Sequence, residues 1–595
     1  MAKTVGLLLA GWVACYGLNW FLAEFIEIVY VDYLNLIGIA IVLAVGLNVI
    51  NGLTGQFSLG HAGFMAIGAF VAGLVSIQLT YGEMSSGPLE FAGLGTFLLS
   101  LLLAGLAAAV LGVVVGAPAL RLKGDYLAIA TLGFAEITRI LLTAQDSLGG
   151  PTGIKRIPKM PLLPGTGDWD GGTSVFWIFL AVFTIVLFSA RLQRSTYGRA
   201  LIAIRENELA AETMGVRAAR MKVMAFVYGA FFAGIAGGLY AHYQHSVRPD
   251  DFTSIRSIEV VVMLVLGGLG SITGAILGAV AVTLVPQLLR PLEEQLQVNG
   301  LSMVVYALLL ILMMIFRPQG IFWAAGAFFE TAAADSAGGA QVTALLATEN
   351  LTIRFGGLTA VDGFNLAIEP GDLFGLIGPN GAGKTTVFNM ITGVYLPTEG
   401  SVHFDGMLVN GLQPAQVAAL GVSRTFQNIR LFDELSVLEN AMTGAHQHAK
   451  INLFDSLLRT GRHYREEQRQ RDRAYGLLTF MGLEDRAGLP ARQLPYGHRR
   501  KLEIARALAT EPKLICLDEP AAGMNTGEKA ELSALIRNIR DELKITVLLI
   551  EHDMKLMMGI CEKIQVLDYG KTIALGTPQE IQNNPKVIEA YLGGE

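Results

Sequence analysis

Charge is scarce in this chain. Only 16% of its 595 residues are charged, whereas 52% are hydrophobic, and the mean hydropathy is +0.49. These values lie outside the usual range of soluble globular proteins. Part of the chain is therefore expected to lie in lipid.

The chain also has no excess of basic over acidic residues, and it has few cysteines. The net charge is -6 at pH 7, so no basic surplus is available to neutralise a nucleic acid backbone, and nucleic acid is not expected as a partner. The three cysteines, Cys15, Cys516 and Cys561, are far apart and show no metal-ligand spacing. Neither a disulfide framework nor a zinc site is indicated.

The first half of the chain contains repeated apolar runs of roughly 20 residues, the length needed to cross a bilayer. We expect eight to ten spans, and the apolar runs lie near residues 5–28, 33–51, 57–79, 91–118, 126–144, 174–190, 222–243, 260–289 and 300–316. The first run follows a lysine, as in a secretory signal, but no cleavage site stands out and it is interpreted as a retained span. The run at 260–289 is long and glycine-rich, which predicts a broken or doubled element.

The segment between residues 191 and 222 carries seven basic residues against three acidic ones, which predicts a cytoplasmic loop. After Trp323 an Ala-rich stretch with several glycines is typical of a tether. The rest of the chain alternates apolar strands with helical stretches, which predicts a parallel sheet with helices on its faces. Because this part must meet ATP, as its motifs below indicate, it is expected in the cytosol.

A phosphate-binding loop lies at residues 378–386, "GPNGAGKTT", between a predicted strand and a predicted helix. Glycines in such a loop let backbone N–H groups point at phosphates. Lys384 is expected to neutralise the β- and γ-phosphates, and the Thr385 hydroxyl to bind Mg²⁺. The remaining predicted ATP contacts are Gly378, Asn380, Gly381, Gly383 and Thr386. The alternative is a glycine turn with an incidental lysine.

Two acidic residues follow the apolar strand "LICL". Asp518 suits the Mg²⁺ side of an ATP site, and Glu519 suits the general base that polarises water. Alone, such a pair is more often solvated loop charge; the phosphate-binding loop upstream favours the catalytic interpretation.

The order of motifs resembles the ATP-binding cassette (ABC) proteins. Under this resemblance, Gln427 in "SRTFQN" is the Q-loop contact to Mg²⁺, and His552 in "LLIEHD" is the switch histidine. Phe355 is similar to the aromatic residue that stacks on adenine. A lone histidine at a strand end would otherwise be taken as structural. The signature that acts on a partner's ATP corresponds to Leu494, Tyr496, Gly497 and His498.

Two motifs depart from the family pattern. The signature "LPYGH" lacks the usual serine, one glycine and the glutamine, which puts the serine's bond to the γ-phosphate in doubt. The D-loop "AAGMN" ends in Asn525 where aspartate is usual. With these two departures, we expect communication between the two ATP sites to differ from the common pattern of the family.

Both halves resemble components of the branched-chain (hydrophobic) amino acid ABC importers. The ATPase resemblance rests on "YGH", "LEIARAL" and "DEPAAGMN", and the permease resemblance on "GLTGQFSLGHAGFMAIGA", "GGPTGI" and "FRPQGI". The implied fold is an all-α polytopic membrane domain at 1–323, a linker at 324–345 and an α/β P-loop ABC ATPase domain at 346–595. The implied activity is ATP-driven import, with ATP and Mg²⁺ as cofactors. A non-importing ABC protein, either an exporter or a regulatory ATPase, is the alternative.

The segment "ENELAAETMG" in the basic loop resembles the coupling loop of importers, and Glu208, Ala210, Ala211 and Gly215 are its predicted docking residues. Small side chains allow close approach to a groove of the ATPase. The alternative is a solvated amphipathic connector.

Polar groups within the apolar half are candidates for a transport pathway. Gln56, Ser58 and His61 form one group, and Glu136 and Arg139 form another. Glu136 and Arg139 are three residues apart on one helical run, so pairing with each other is the favoured alternative.

The family resemblance also implies partners and a location. A second, non-identical permease, a second ATPase and an extracytoplasmic binding protein are expected in the inner (cytoplasmic) membrane with its lipid, and a homodimer is the alternative. The sequence leaves the substrate open among leucine, isoleucine, valine, other amino acids, urea and short amides.

Overall fold

The computed structural model describes residues 2–25, 27–81, 90–119, 125–162, 172–296, 308 and 344–592. Residue contacts divide the chain into two compact units. The first unit comprises residues 1–201, 219–326 and 452–463, and the second comprises 202–218, 327–451 and 464–595. Each unit thus includes a short segment that lies in the other half of the sequence.

The first unit is helical, because long apolar runs can satisfy their backbone groups in lipid only within helices. Its helices are α1 (Ala2–Phe25), α2 (Ile28–Leu47), α3 (His61–Tyr81), α4 (Leu94–Ala119), α5 (Asp125–Ala144), α6 (Gly172–Gln193), α7 (Thr196–Glu206), α9 (Ala218–Gln244), α10 (Ser254–Gly267) and α11 (Ile272–Leu296). The last residues of α7 belong to the second unit. A two-stranded antiparallel pair, β1 (Ile154–Lys155) and β2 (Ser246–Val247), completes it together with helix α15 (Leu453–Leu458).

Within the described part of the chain, seven helices are long and apolar enough to cross a membrane. They coincide with the predicted runs from 33–51 through 260–289. Helix α1 carries a shorter apolar stretch, Gly6–Leu22. The predicted span at 300–316 lies outside the described residues except for Leu308, and the predicted linker lies outside them except for its last two residues.

The glycine-rich run at 260–289 is interrupted, as predicted. Helix α10 ends at Gly267, and Gly268 and Gly270 adopt φ values of 103° and 85°, which L-residues rarely adopt. The freed Gly270 N–H donates to Asn48 Oδ1 at 2.9 Å, so this backbone group is satisfied inside the protein.

The second unit contains two sheets. The larger has the order β12-β11-β5-β10-β9-β8, with β12 antiparallel at one edge and the other strands parallel. Its strands are β5 (Leu373–Ile377), β8 (Val422–Arg424), β9 (Leu514–Asp518), β10 (Thr546–Ile550), β11 (Lys563–Asp568) and β12 (Lys571–Gly576). The antiparallel sheet β4-β3-β6-β7 is formed by β3 (Leu346–Phe355), β4 (Leu358–Ile368), β6 (Glu399–Phe404) and β7 (Met407–Leu408).

The helices of the second unit follow the same chain order. They are α8 (Glu208–Thr213), α12 (Lys384–Ile391), α13 (Pro414–Leu420), α14 (Val437–Gly444), α16 (Gly461–Phe480), α17 (Tyr496–Leu508), α18 (Thr526–Asp541), α19 (Met554–Ile560), α20 (Pro578–Gln582) and α21 (Pro585–Leu592). The first three residues of α16 belong to the first unit.

The parallel sheet is buried on both faces. Alternate residues of β9 belong to different apolar clusters: Ile515 and Leu517 to one, Leu514 and Cys516 to the other. Because successive side chains of a strand point to opposite faces, this alternation shows a core on each side of the sheet. The parallel strands β5, β9 and β10 end at one edge of this buried sheet. Several of the candidate site residues lie at or directly after these strand ends.

Candidate functional site

The phosphate-binding loop connects the buried strand β5 to helix α12, which begins at Lys384. Gly378 and Gly383 have φ values of 155° and 101°, and a Cβ at Gly378 would lie 2.1 Å from the carbonyl oxygen of Leu567. Glycine is therefore required for this loop to fit against its neighbours. Asn380, Gly381 and Thr385 are exposed on the open side of the loop.

The Lys384 ammonium folds back over the loop. Its Nζ donates to the carbonyl oxygens of Gly378 at 2.7 Å and Pro379 at 2.8 Å, and the residue is 6% exposed. Burial lowers the pKa of Lys384, while the nearby Glu519 and Asp518 carboxylates act to raise it. The cation thus lies within the electrostatic reach of both acidic residues.

The two acidic residues are positioned by the pairing of β9 with β10. Asp518 pairs with Ile550 at the end of the ladder, and the Glu519 N–H donates to the Ile550 carbonyl at 2.9 Å. Glu519 then adopts a φ of 47°, an uncommon left-handed conformation for a residue other than glycine. The chain turns sharply at the point where the glutamate side chain is presented.

Three predicted residues meet at the Glu519 carboxylate. Gln427 Nε2 donates to Oε2 at 3.0 Å, and His552 Nε2 lies 2.7 Å from Oε1, where it donates when that nitrogen is protonated. Two separate loops therefore hold the two oxygens of one carboxylate. This arrangement suits a base whose orientation depends on its neighbours.

Asp518 is held by a residue that the sequence reasoning missed. Arg424 Nη2 donates to Asp518 Oδ2 at 3.3 Å, and both side chains are almost fully buried. Arg424 also donates to Asn389 Oδ1 at 2.7 Å and stacks against Phe426, with 4.9 Å between its Cζ and the ring centroid. An arginine at the end of a short buried strand, Val422–Arg424, was the available signal.

The environment of Asp518 fits a divalent cation. Burial raises the pKa of Asp518, and its Oδ1 is buried without a hydrogen-bond partner in the described part of the chain. No group of three or more His, Cys, Asp or Glu side chains that could hold a metal occurs among the described residues. A carboxylate, the Thr385 hydroxyl and the Gln427 amide oxygen are donors of the kind that Mg²⁺ takes, beside waters and phosphates.

The adenine and signature candidates lie apart from this cluster in the sequence, and Phe355 and Tyr496 among them are accessible. Phe355 ends strand β3, is 47% exposed and packs edge-on to Tyr395, an aromatic residue not singled out from the sequence. Tyr496 and Gly497 begin helix α17, with Pro495 before them. Leu494 is buried, whereas Tyr496 is 47% exposed.

His498 of the signature is half-buried, with Nδ1 3.3 Å from Arg486 Nη1. Burial and the nearby Arg486 lower its pKa. A neutral ring suits the site, because it lets Nδ1 accept a hydrogen bond from that arginine.

The predicted coupling residues belong to the second unit. Ala210 and Ala211 of helix α8 are fully buried, and α8 packs against α13. Met214, directly after the helix, belongs to the apolar cluster on one face of the parallel sheet. Gly215 has a φ of 80°, and a Cβ there would lie 2.4 Å from Gln447 Oε1. Glu208 lies in the first turn of α8 and is half-buried.

Polar side chains fix the same segment from outside the helix. Asn207 Oδ1 accepts from the Ala210 N–H at 2.9 Å, which caps α8, and from Arg430 Nη1 at 3.4 Å. Arg205 forms an ion pair with Glu434. The segment is therefore packed and hydrogen-bonded within the second unit.

In the first unit, the segment before α3, residues 55–60, has no regular secondary structure, and side chains accept hydrogen bonds from some of its backbone N–H groups. The Ser58 N–H donates to Asn51 Oδ1 at 3.2 Å, and the Leu59 N–H donates to Thr131 Oγ1 at 2.9 Å. Helix α3 begins at His61, whereas the predicted apolar run begins near residue 57. Gln56 and His61 are both buried, 7% and 1% exposed.

Glu136 and Arg139 pair with each other. Arg139 Nε donates to Glu136 Oε1 at 3.0 Å, and Arg139 Nη1 donates to Asp250 Oδ1 at 3.0 Å. The structural alternative thus accounts for both charges, which satisfy each other on one helix face.

Comparison with known proteins identifies three matching family models. Residues 29–314 match the branched-chain amino acid transport system permease component, residues 361–522 match the ABC transporter family, and residues 571–595 match the branched-chain amino acid ATP-binding cassette transporter.

Individual relatives match each half. LivG of Escherichia coli K12, a high-affinity branched-chain amino acid transport ATP-binding protein, is 49% identical over 249 residues, which cover 42% of this chain and 98% of LivG. BraF of Pseudomonas aeruginosa, a protein of the same description, is 47% identical over 249 residues, with the same two coverages. The E. coli K12 permease protein LivM is 40% identical over 315 residues, covering 49% of this chain and 69% of LivM.

The two sets of relatives match different halves of one polypeptide, and the phosphate-binding loop, the acidic pair and the coupling segment lie in the order that the resemblance requires. The chain belongs to the branched-chain amino acid ABC transporter family, and it carries a permease component and an ATP-hydrolysing component in one polypeptide.

Proposed function

We propose that this chain drives the import of branched-chain or related amino acids, or of urea or short amides, across the inner membrane. It contributes one permease, residues 1–323, and one cytosolic ATPase, residues 346–595, joined by a linker at 324–345. The observation that carries the proposal is the burial of Ala210, Ala211 and Met214 inside the unit that contains the ATP site.

In this function, the phosphate-binding loop holds the nucleotide. Backbone N–H groups from Gly378 to Gly383 and the Lys384 ammonium bind the phosphates, while Phe355 stacks on the adenine. Asn380 and Thr386 complete the contacts to the phosphates. Thr385, Gln427 and Asp518 would hold Mg²⁺, which neutralises negative charge on the phosphate oxygens.

Glu519 takes the proton from the attacking water, and His552 and Gln427 orient its carboxylate. Their contacts, at 2.7 Å and 3.0 Å, occupy both oxygens of Glu519. A displacement of either loop therefore changes the direction of the base. This gives a physical route by which hydrolysis depends on protein conformation.

The signature residues Leu494, Tyr496, Gly497 and His498 act on the ATP held by a second ATPase. The backbone N–H groups at the start of α17 are the donors for that phosphate, because the usual serine is absent. A second ATPase and a second permease, both non-identical to this chain, complete the transporter together with an extracytoplasmic binding protein.

The test of import is stimulation of ATP hydrolysis by a binding protein. The complex is assembled in liposomes and its hydrolysis rate is measured with the binding protein empty and loaded with leucine, isoleucine, valine, another amino acid, urea or a short amide. An importer is expected to accelerate only with a loaded protein. Equal rates under all conditions would contradict import and favour a regulatory ATPase.

A further inference from the structure

Helix α17 carries three fully buried charged residues that the proposed reaction does not use, Arg500, Glu503 and Arg506. Arg500 and Glu503 are both fully buried, and Arg500 Nη1 donates to Glu503 Oε2 at 2.8 Å. Burying a charged pair is costly unless further hydrogen bonds satisfy it. The hydrogen-bond partners of Arg500 and Glu503 therefore indicate what the pair does in the structure.

Those partners are backbone groups of the loop that carries Gln427. Arg500 Nη1 donates to the Phe426 carbonyl at 2.7 Å, and Arg500 Nη2 donates to the Gln427 carbonyl at 2.9 Å. On the other side, Glu503 Oε1 accepts from the N–H groups of Phe426 at 3.4 Å and Arg430 at 3.2 Å. Four backbone groups of one loop are thus bound by two side chains of one helix.

The loop bound in this way connects two functional contacts. The Gln427 side chain donates to Glu519 Oε2 at 3.0 Å. At the other end of the loop, Arg430 donates to Asn207 Oδ1, which caps the coupling helix α8, and stacks on Phe426 with 4.7 Å between Cζ and the ring centroid. A shift of α17 therefore displaces both ends of the loop together.

We propose that Arg500 and Glu503 are positioning residues, which hold the backbone of the Gln427 loop so that its amide reaches the Glu519 carboxylate. The pair thereby links the start of the signature helix to the base of its own ATP site. This inference rests on the proposed role of Glu519 in hydrolysis. It concerns orientation alone, since the hydrogen bonds given above join the two side chains to each other and to the backbone of the Gln427 loop.

Two conservative variants test the pair. In Glu503→Gln, the amide nitrogen must face either the loop N–H groups or Arg500, which are all donors. In Arg500→Lys, one ammonium replaces a planar fork and cannot span Phe426, Gln427 and Glu503 together. Lys501→Gln, a neighbour on α17 that is paired with Glu531 at 3.2 Å, is the matched control.

ATP hydrolysis by the assembled complex is measured as kcat and KM, and each variant is combined with Gln427→Ala. We expect kcat to fall roughly 10- to 100-fold in both variants, because small misplacements of catalytic groups have effects of this size. KM for ATP should stay close to that of the wild type, and Lys501→Gln should match the wild type in both. Each double variant should be about as slow as its slower single variant, since the pair acts through Gln427.

Additive losses, or a rise in KM with kcat unchanged, would overturn the proposal. If neither variant can be recovered as a folded chain that binds ATP, the pair serves folding and the proposal also fails. Glu519→Gln is measured alongside. Wild-type hydrolysis by that variant would refute the proposed base, whereas an inactive Glu519→Gln with an additive cycle would refute only the positioning role.

Discussion

Glu519 combines an uncommon backbone conformation with a fully engaged carboxylate. Its φ of 47° and its contacts to Gln427 and His552 fix the side chain at the end of β9. Conformations of this kind are costly and persist where the surroundings enforce them. Lys384 begins the neighbouring helix α12 and has a different proposed role, so mutation can separate the two roles.

We expect Glu519→Gln to bind ATP normally and to hydrolyse it about 10² to 10⁴ times more slowly, because an amide cannot accept the proton from water. Lys384→Ala should instead weaken ATP binding itself. Equilibrium binding and steady-state hydrolysis, measured on both variants, separate the effects. Normal ATP affinity in Lys384→Ala would contradict the phosphate-binding role.

Asn525, which stands where aspartate is usual in the D-loop, caps helix α18. Its Oδ1 accepts from the Glu528 N–H at 3.0 Å, and its own N–H donates to Glu528 Oε2 at 2.9 Å. Asparagine and aspartate are almost equally good at this position. The departure from the family pattern is therefore conservative for the local structure.

Asn525→Ala should lower the free energy of unfolding of the ATP-binding half by about 1 kcal/mol, whereas Asn525→Asp should leave it almost unchanged. Chemical denaturation, followed with a probe in that half, measures both. A similar loss in the two variants would show that the cap is not what the asparagine provides.

At the scale of single elements, the coupling helix α8 shows most clearly how small side chains allow close packing. Ala210 and Ala211 are fully buried, and Gly215 ends the segment with a φ of 80° close to Gln447. Gln447 is itself held by a 2.7 Å hydrogen bond to the Thr510 carbonyl. A larger side chain at Gly215 therefore meets a neighbour that cannot easily move.

Gly215→Trp is expected to abolish transport while it leaves basal ATP hydrolysis largely intact, because the ring prevents the segment from seating. Arg217→Trp places the same ring at an exposed position two residues later and is the control. Uptake and hydrolysis are measured on the same liposomes. Normal uptake by Gly215→Trp would refute the docking role.

The sequence predicted those parts of the site that depend on local spacing. The phosphate-binding loop between β5 and α12 and the break after Gly267 both follow from glycine placement along the chain. Arg424 and the Arg500–Glu503 pair were missed because a buried arginine is explained only by its partners, which lie up to 94 residues away. Hydrophobic periodicity in the sequence predicts which positions are buried. It does not predict the hydrogen bonds that stabilise a charged side chain at a buried position.

The meeting of Gln427, Glu519 and His552 was implied by family resemblance alone. Physically, it depends on the parallel register of β9 and β10, which sets Asp518 beside Ile550. Strand order in a parallel sheet is not fixed by the local sequence, because the crossovers permit several orders. The inclusion of residues 452–463 in the first compact unit was likewise not predicted.

At the scale of the whole molecule, one chain supplies one permease component and one ATP-binding component. Its signature residues are expected to serve a second ATPase, so both ATP sites require another subunit. We expect the chain alone to hydrolyse ATP slowly and not to transport. Adding a second permease, a second ATPase and a binding protein should restore uptake in liposomes; uptake by this chain with a binding protein alone would favour a homodimer.

The most direct test of the account is substrate accumulation by the complete complex in liposomes. Labelled leucine, isoleucine, valine, another amino acid, urea and a short amide are supplied with the binding protein on one side, and ATP on the other. The wild type should concentrate at least one of these solutes towards the ATP side, while Glu519→Gln, which still binds ATP, should concentrate none. Accumulation by Glu519→Gln at the wild-type rate, or movement away from the ATP side, would contradict an importer driven by this ATP site.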